Sequence, residues 1–470
     1  MQVYLLVDFG STYTKVTAVD LEGEVVLGRA QAPTTIQTDI CEGYEQALEE
    51  LRSTCDLSDD KICKRYASSS AAGGLKMVAI GLVPDLTLKA AQRAALGAGA
   101  KVVGAYGYEL DKTSISEIEE KRCDIVMLCG GTDGGNKDVI VHNAKMLADS
   151  AVSCPILVCG NRCVSDDIRE TLTSKDKQVY ITKNVLPSVN TVEVEPAQNQ
   201  IRDIFIAHII RAKGLDRAQS IFDREIIPTP KASLLASELL ADGVEAESGI
   251  GSLMVVEVGG ATTNIHSVSN IIPFTPQTII RGLPESRVSR TVEGDLGIRY
   301  NARTILQFVG ADRLRNLTEM MDPSAESPDP DEYTKMLNEH VEHVPENTGE
   351  SLMDAALAKS AVDIAVERHA GSLKTEFSVM GEINIQYGKN LLEVRNVLGT
   401  GGIFKYGAMP ERILSSALFS AQTPWSMKPK EPRAYIDENY LFYATGLLSQ
   451  EHPAAALRIM KRYLKPIELV

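Results

Sequence analysis

One pattern occurs twice in this chain and limits the folds open to it. A short apolar strand ends in an acid, a glycine-rich turn with hydroxyls follows, and a second strand resumes. The first copy is VYLLVDFGSTYTKV, with Asp8 ahead of Gly10, Ser11 and Thr12. The second is LMVVEVGGATTNI, with Glu257 ahead of Gly259, Gly260, Ala261, Thr262 and Thr263. Each copy reads as a β-hairpin. Its turn sets a carboxylate beside backbone N–H groups free of bulky Cβ atoms, which can converge on an anion. A carboxylate beside phosphates works through Mg2+ or its waters. A single such turn can equally be a plain hairpin connection. Two of them, each opening its own α/β segment, point to hairpins that face each other and grip phosphates and a metal from both sides.

Strand and helix signals alternate along the rest, the α/β pattern. KMVAIGLV, KVVGAYGYEL, DIVMLCGG, PILVCGN and KQVYIT read as strands, with helical LTLKAAQRAALGAG and an acidic helix between them. We expect a layered unit from Met1 to about Asp242 and a second opening at SLMVVEV. The working boundaries are 1–245 for a first lobe with inserted α/β segments and 250–470 for a second. DPSAESPDPDEY reads as an exposed loop between helical blocks. SLMDAALAKSAVDIAVERHAG starts with a Ser cap and ends at Gly371, which places a mostly helical subdomain near 296–375.

At 470 residues, with 44% hydrophobic and 24% charged residues, the chain is globular. Its net charge of −15 argues against nucleic acid or an anionic membrane as partner. No apolar run reaches transmembrane length and no signal-peptide pattern opens the chain, so a cytoplasmic location is expected. All 8 cysteines precede Val164. Cys154, Cys159 and Cys163 are spaced C-x4-C-x3-C, without the C-x2-C pair of common metal sites, and read as free thiols.

Several further stretches have a functional and a structural reading. In EVRNVLGTGG a strand runs into Gly399, Thr400, Gly401 and Gly402, where a ring or phosphate can approach backbone closely, or where a βα turn simply closes. In LCGGTDGGN, Asp133 sits at a strand end and can orient an attacking water, or merely start a turn. Lys15 can reach a β- or γ-phosphate or lie exposed at a strand end. His369 near a helix C-terminus reads as a dipole-favoured cation, Arg368 as an adenine-stacking or solvent-facing group, and Glu293 and Asp295 as helix caps. His266 reads as solvent-facing or packed.

VDFGSTYTK, VEVGGATTN and LGTGG, in that order, resemble the two phosphate loops and the adenosine loop of the actin, sugar kinase and heat-shock chaperone ATPase superfamily. Adding DIVMLCGGTDGGN, RTVEGDLGIRYNA, VERHAG and GKNLLEVRNVLGTGG, nearly the whole chain resembles the GlmL/MutL family, which accompanies glutamate mutase and related adenosylcobalamin-dependent mutases as reactivating chaperones. The resemblance implies a two-lobed actin-like ATPase fold with a helical insertion, ATP and Mg2+ as cofactors, and a mutase as client, with a homodimer admitted. It implies catalytic roles for Asp8, Asp133 and Glu257, metal-organising roles for Asp8 and Glu257, and nucleotide contacts from Lys15 and the turn residues named above. Glu257 departs from the Asp that many members carry, and its longer side chain reaches a metal through water. The D-x-H-x-x-G pattern of base-off cobalamin proteins is absent, so the chain is expected to act on a holoenzyme. A small-molecule kinase of the same fold, an actin-like filament ATPase and an iron–sulfur activator ATPase are the alternatives; the last needs cysteines beyond Val164. As turn features, Asp8→Ala is expected to spare the fold and Gly401→Val to block the nucleotide.

Overall fold

The computed structural model describes residues 2–10, 12–35, 39–70, 75–98, 100–189, 191–204, 219–283, 285–378 and 381–469. The first hairpin forms as expected: Val3–Phe9 pairs antiparallel with Tyr13–Asp20, and every residue of the leading strand is buried. Val25–Pro33 adds antiparallel outside the second strand. Ile62–Ser69 lies parallel to the first, and Ile227–Pro228 parallel to that. A parallel neighbour needs a crossover, here the helix Ile40–Thr54, whose cap Asp39 accepts from the Cys41 N–H at 2.9 Å.

The second hairpin, Leu253–Val258 with Thr263–Val268, repeats the path. Val288–Glu293 lies antiparallel outside it, while Asn396–Thr400 and then Arg433–Ile436 add parallel on the other side. Lys465–Ile467 closes that edge. The same five-strand path taken twice is the duplicated sheet of the actin-like ATPase fold, as the resemblance implied. Leu6, Val255 and Leu398 from the two sheets share one apolar core with Leu240 of helix Thr229–Asp242 and Phe442 of helix Phe442–Leu448.

The helical insertion comprises Ala302–Val309, Ala311–Met321, Pro330–Glu339 and Thr348–His369. The last helix is rich in alanine and buried nearly all round, which suits the centre of a bundle. It starts three residues before the expected Ser351 cap: Asn347 is the cap, accepting from the Glu350 N–H at 2.9 Å. The two acids expected to cap a helix instead bind Arg368, with Glu293 at 2.6 Å and Asp295 at 3.0 Å. Arg368 is thereby committed to these acids, with its Cζ also 5.3 Å from the Phe308 ring centre.

The chain forms two compact units: Met1–Ala72 with Ala218–Arg281 and Glu285–Val470, and Gly73–Arg217 with Gly282–Pro284. The second is a five-stranded all-parallel sheet, in spatial order Lys101–Gly107, Lys76–Gly81, Ile125–Leu128, Ile156–Val158, Val179–Ile181. This is a doubly wound order. The single layered unit expected from Met1 to Asp242 is therefore the N-terminal sheet plus this insertion. Among the described residues no helix is long and apolar enough to cross a membrane.

Candidate functional site

The two hairpins end at one cavity of about 490 Å³ within the first unit, lined by Asp8, Thr12, Lys15, Glu257, Gly260 and Gly402 among others. Both acids are the next-to-last residue of their strand. Both turns close in the same way: Gly10 N–H donates to the Tyr13 carbonyl at 3.1 Å and Gly259 N–H to the Thr262 carbonyl at 2.9 Å. These two amides, expected to hold phosphate, are thus spent inside their own turns. Among the described residues the amides of Gly260 and Ala261 donate to nothing. The turns do face each other, since a Cβ on Gly260 would stand 3.4 Å from Thr12 Oγ1. Ser11 lies outside the described residues.

Asp8 is 1% exposed. Its Oδ1 accepts from Thr229 at 2.6 Å and Ser68 at 3.2 Å, and its Oδ2 pairs with Lys15 Nζ at 3.1 Å. Lys15 therefore points into the cavity floor and not outward. Burial works against its charge, but Tyr440 and Asp8 outweigh burial and raise its pKa well above the ordinary lysine value. Its Nζ sits 4.4 Å from the Tyr440 ring centre. Burial, against the pull of Lys15, pushes the Tyr440 hydroxyl up to about 12, so it stays protonated.

Glu257 is held by Ser233 Oγ at 3.4 Å, Asn264 Nδ2 at 3.2 Å and His266 Nε2 at 3.3 Å. Burial favours its neutral form, yet His266, Asn264 and Arg290 together keep its pKa below the usual value. Burial pushes His266 down. The pair is a carboxylate facing a neutral imidazole, so of its two readings His266 is packed, and it also braces the acid. His369, expected as a cation, is buried, with its ring nitrogens 3.0 Å from Thr291 Oγ1 and 2.8 Å from Ser267 Oγ. Burial holds its pKa well below the normal value, which makes it neutral.

Of the glycine loop after Asn396–Thr400, only Gly402 lines the cavity. Gly401 has φ +109°, and a Cβ there would meet the Val258 carbonyl at 2.2 Å. Its constraint comes from the chain's own backbone. A Cβ on Gly402 meets nothing within 4 Å. A Cβ on Gly399 would strike the Phe404 ring. Thr400 Oγ1 is bound to Asp437 at 3.0 Å, and Thr263 Oγ1 donates to the Leu296 carbonyl at 2.7 Å. Thr262 reaches the cavity. Asp133 belongs to the second unit, where Asn184 Nδ2 at 2.9 Å and the Arg162 N–H at 3.2 Å hold one oxygen and Arg162 Nε at 3.4 Å the other. These are the contacts of an acid that ties its own loop together.

Sequence reasoning missed Arg29. It lines the cavity beside Tyr440, its Cζ 5.2 Å from that ring centre. Its Nε and Nη1 are buried with no hydrogen-bond partner among the described residues, though its charge is felt by Asp437. A buried guanidinium with idle donors is a ready anion ligand. Its register could have found it: on Val25–Pro33 it stands opposite Thr17, two pairs from Lys15–Gln31 and so on the same face. Opposite lies a bidentate pair, Arg299 Nη2 to Asp354 Oδ2 at 2.6 Å and Nη1 to Oδ1 at 3.2 Å, braced by Tyr333 OH at 3.1 Å.

The cavity suits a hard cation. Asp8 and Glu257 offer carboxylates, and Asn264 Oδ1 is buried without a hydrogen-bond partner among the described residues. Oxygen donors of this kind fit Mg2+, which keeps most of its waters. Among the described residues no cluster of three or more His, Cys, Asp and Glu side chains could hold a metal alone. A cation here would therefore be held through its waters and an anionic ligand.

The family model described as "MutL protein" matches residues 4–464. The chain is 46% identical over 464 residues to "Protein MutL" of Clostridium tetanomorphum, covering 99% of each. It superposes at a TM-score of 0.33 and 10% identity on the activator of 2-hydroxyisocaproyl-CoA dehydratase from Clostridium difficile with bound ADPNP, covering 98% of this chain and 95% of that one. A glycerol dehydratase reactivase gives 0.36 at 10% identity, covering 95% and 99%. Superpositions this loose do not bear on residue roles.

Proposed function

This chain belongs to the MutL protein family, and on that premise we propose that it is an ATP-dependent, chaperone-like reactivating factor for an adenosylcobalamin-dependent mutase. The client is glutamate mutase or a related aminomutase, and ATP hydrolysis drives release of its damaged cobalamin. The observation that carries the ATPase half is the pair of equivalent hairpins whose acids meet at one cavity with the Gly260 and Ala261 amides of the second turn. Gly260 and Ala261 amides, Lys15 and Arg29 bind the phosphates, and Gly402 leaves room for the nucleoside side. Asp8, Glu257 and Asn264 would hold the waters of an Mg2+ bound with the nucleotide, which would neutralise charge on the phosphoryl oxygens. Lys15 keeps its proton throughout, because Asp8 and Tyr440 stabilise the ammonium.

Loss of the γ-phosphate removes a ligand common to both hairpins. The lobes 1–245 and 250–470 then open, and a client that prefers one state is shifted by its differential affinity. A protein client is supported by a small sheet, Ile279–Arg281, Gly381–Tyr387 and Ser372–Ser378. It exposes Phe377 at 81%, with Ile279 and Ile280 also open to solvent. Exposed apolar patches of this kind mark interaction sites.

The deciding experiment uses a mutase inactivated by its own turnover. With this chain, ATP, Mg2+ and fresh adenosylcobalamin, activity should return. A non-hydrolysable ATP analogue should not sustain repeated rounds. Equal cofactor exchange with and without this chain and ATP, across aminomutase clients, would remove the reading. A phosphorylated small-molecule product in place of free phosphate would put the kinase reading ahead.

A further inference from the structure

The cysteine spacing noted in the sequence resolves into pairs across neighbouring strands of the second unit. Cys123 and Cys129 flank strand Ile125–Leu128, and Cys154 and Cys159 flank strand Ile156–Val158, which lies parallel beside it. Cys123 Sγ is 3.6 Å from Cys154 Sγ at the start of the strands, and Cys129 Sγ is 3.3 Å from Cys159 Sγ at their end. All four are free thiols. The outer pair is half-buried and reachable; the inner pair is buried.

The outer pair is held by the sheet ladder. The Asp124 N–H donates to the Lys76 carbonyl at 2.8 Å, and the Val126 N–H to the Pro155 carbonyl at 3.0 Å. Asp124 Oδ2 accepts from the Lys76 N–H at 2.8 Å. Both sulfurs are therefore presented by fixed backbone. A disulfide needs an S–S distance of about 2.05 Å, against the present 3.6 Å. The two thiols are also unequal. Hydrogen bonding from Cys154 holds the Cys123 pKa below the ordinary thiol value, and the same contact pushes Cys154 up.

We propose that Cys123 and Cys154 form a dithiol site that undergoes exchange with small-molecule disulfides. The Cys123 thiolate attacks one sulfur of a disulfide RSSR. The RS–SR bond breaks, a Cys123–SR bond forms, and RS− leaves and takes a proton. Cys154, deprotonated to solvent, then attacks Cys123 Sγ and expels the second RS−. Two protein thiols are oxidised to one disulfide, and RSSR is reduced to two RSH. The inner pair, shut away from solvent, does not take part.

The test uses the intact chain and oxidised glutathione, followed by alkylation and peptide mapping by mass spectrometry. A Cys123–Cys154 cross-link that dithiothreitol reverses is expected, with Cys129 and Cys159 still free. In Cys154→Ser the glutathionyl adduct should persist on Cys123, and in Cys123→Ser the cross-link should vanish. Before oxidation Cys123 should alkylate faster than Cys154, because the thiolate is the reactive form. The exposed Cys63 and Cys163 report that the reagent acted. Adducts on those two with no Cys123–Cys154 cross-link would overturn the proposal. So would a cross-link formed first between Cys129 and Cys159.

Discussion

Lys15 and Asn264 occupy the same place in the two repeats: each lies directly across its hairpin from the acid, Lys15 from Asp8 and Asn264 from Glu257. One repeat thus pairs its carboxylate with a cation and the other with a neutral amide. The charge of Asp8 is largely spent on Lys15, while that of Glu257 is shared among neutral donors and the more distant Arg290.

Asp8→Ala is therefore expected to destabilise the chain, contrary to what a turn acid suggests. It leaves Lys15 largely buried and unpaired, a loss of about 3–5 kcal/mol, and frees the hydroxyls of Ser68 and Thr229. Asp8→Asn should keep most hydrogen bonds and still lower Mg2+-dependent hydrolysis by about 10²-fold or more. Urea melts and phosphate release separate the two effects. Hydrolysis by Asp8→Asn at the parent rate would cancel the role given to Asp8.

Gly401→Val and Gly402→Val should part company. The first forces a branched side chain into φ +109° against the Val258 carbonyl and should unfold or misassemble the region. The second projects into open cavity and should leave the melting temperature nearly unchanged while weakening ATP binding about tenfold or more, as displaced contacts worth about 1.4 kcal/mol would. Calorimetry on the folded Gly402→Val chain is the check, and unchanged affinity would take this loop out of the nucleotide site.

Arg29→Gln should weaken ATP binding by roughly tenfold to a hundredfold, the worth of a charge-assisted hydrogen bond of about 1.5–3 kcal/mol. Stability should hold or rise, because buried donors without partners are lost. Titration with ATP and with adenosine distinguishes a phosphate ligand, for which only ATP binding falls, from a base or ribose contact.

Acid should destabilise the second sheet through His266 and His369. Both are held neutral in the fold, so their folded pKa values lie below the unfolded value near 6.5. As pH falls through about 6.5 the unfolded chain takes up protons that the folded chain does not. Stability then drops by up to about 1.4 kcal/mol per pH unit for each group. It is fully present above that range. His369→Gln should flatten the fall between pH 7 and 5 in denaturant melts, and an unchanged slope would exclude His369 as a cause.

The hairpins, the α/β class and the helical insertion were legible because strand period, turn glycines and alanine-rich helix content are local signals. The acids Asp8 and Glu257 were legible for the same reason. What surrounds them was not. Thr229 is 221 residues from Asp8, and Tyr440 reaches Lys15 from near the other end of the chain. Such partners are set by sheet order. His369 was misjudged because position along a helix says nothing of what packs on top. The Gly399–Gly402 run looked uniform, yet its four members meet an aromatic ring, an acid, a carbonyl and open space in turn.

The insertion of the parallel-sheet unit has a consequence for the order in which this protein can assemble. Ser68 and Ile227 are ladder partners, but everything from Gly73 to Arg217 is synthesised between them. Closing a loop ten times longer adds about 2 kcal/mol of entropy. If the intervening chain has already collapsed into its own sheet, the loop is effectively short. The N-terminal sheet must therefore wait for its last strand, and Asp8 for the Thr229 hydroxyl that follows it. Asp8 thus waits 221 residues for the last of its hydrogen-bond partners.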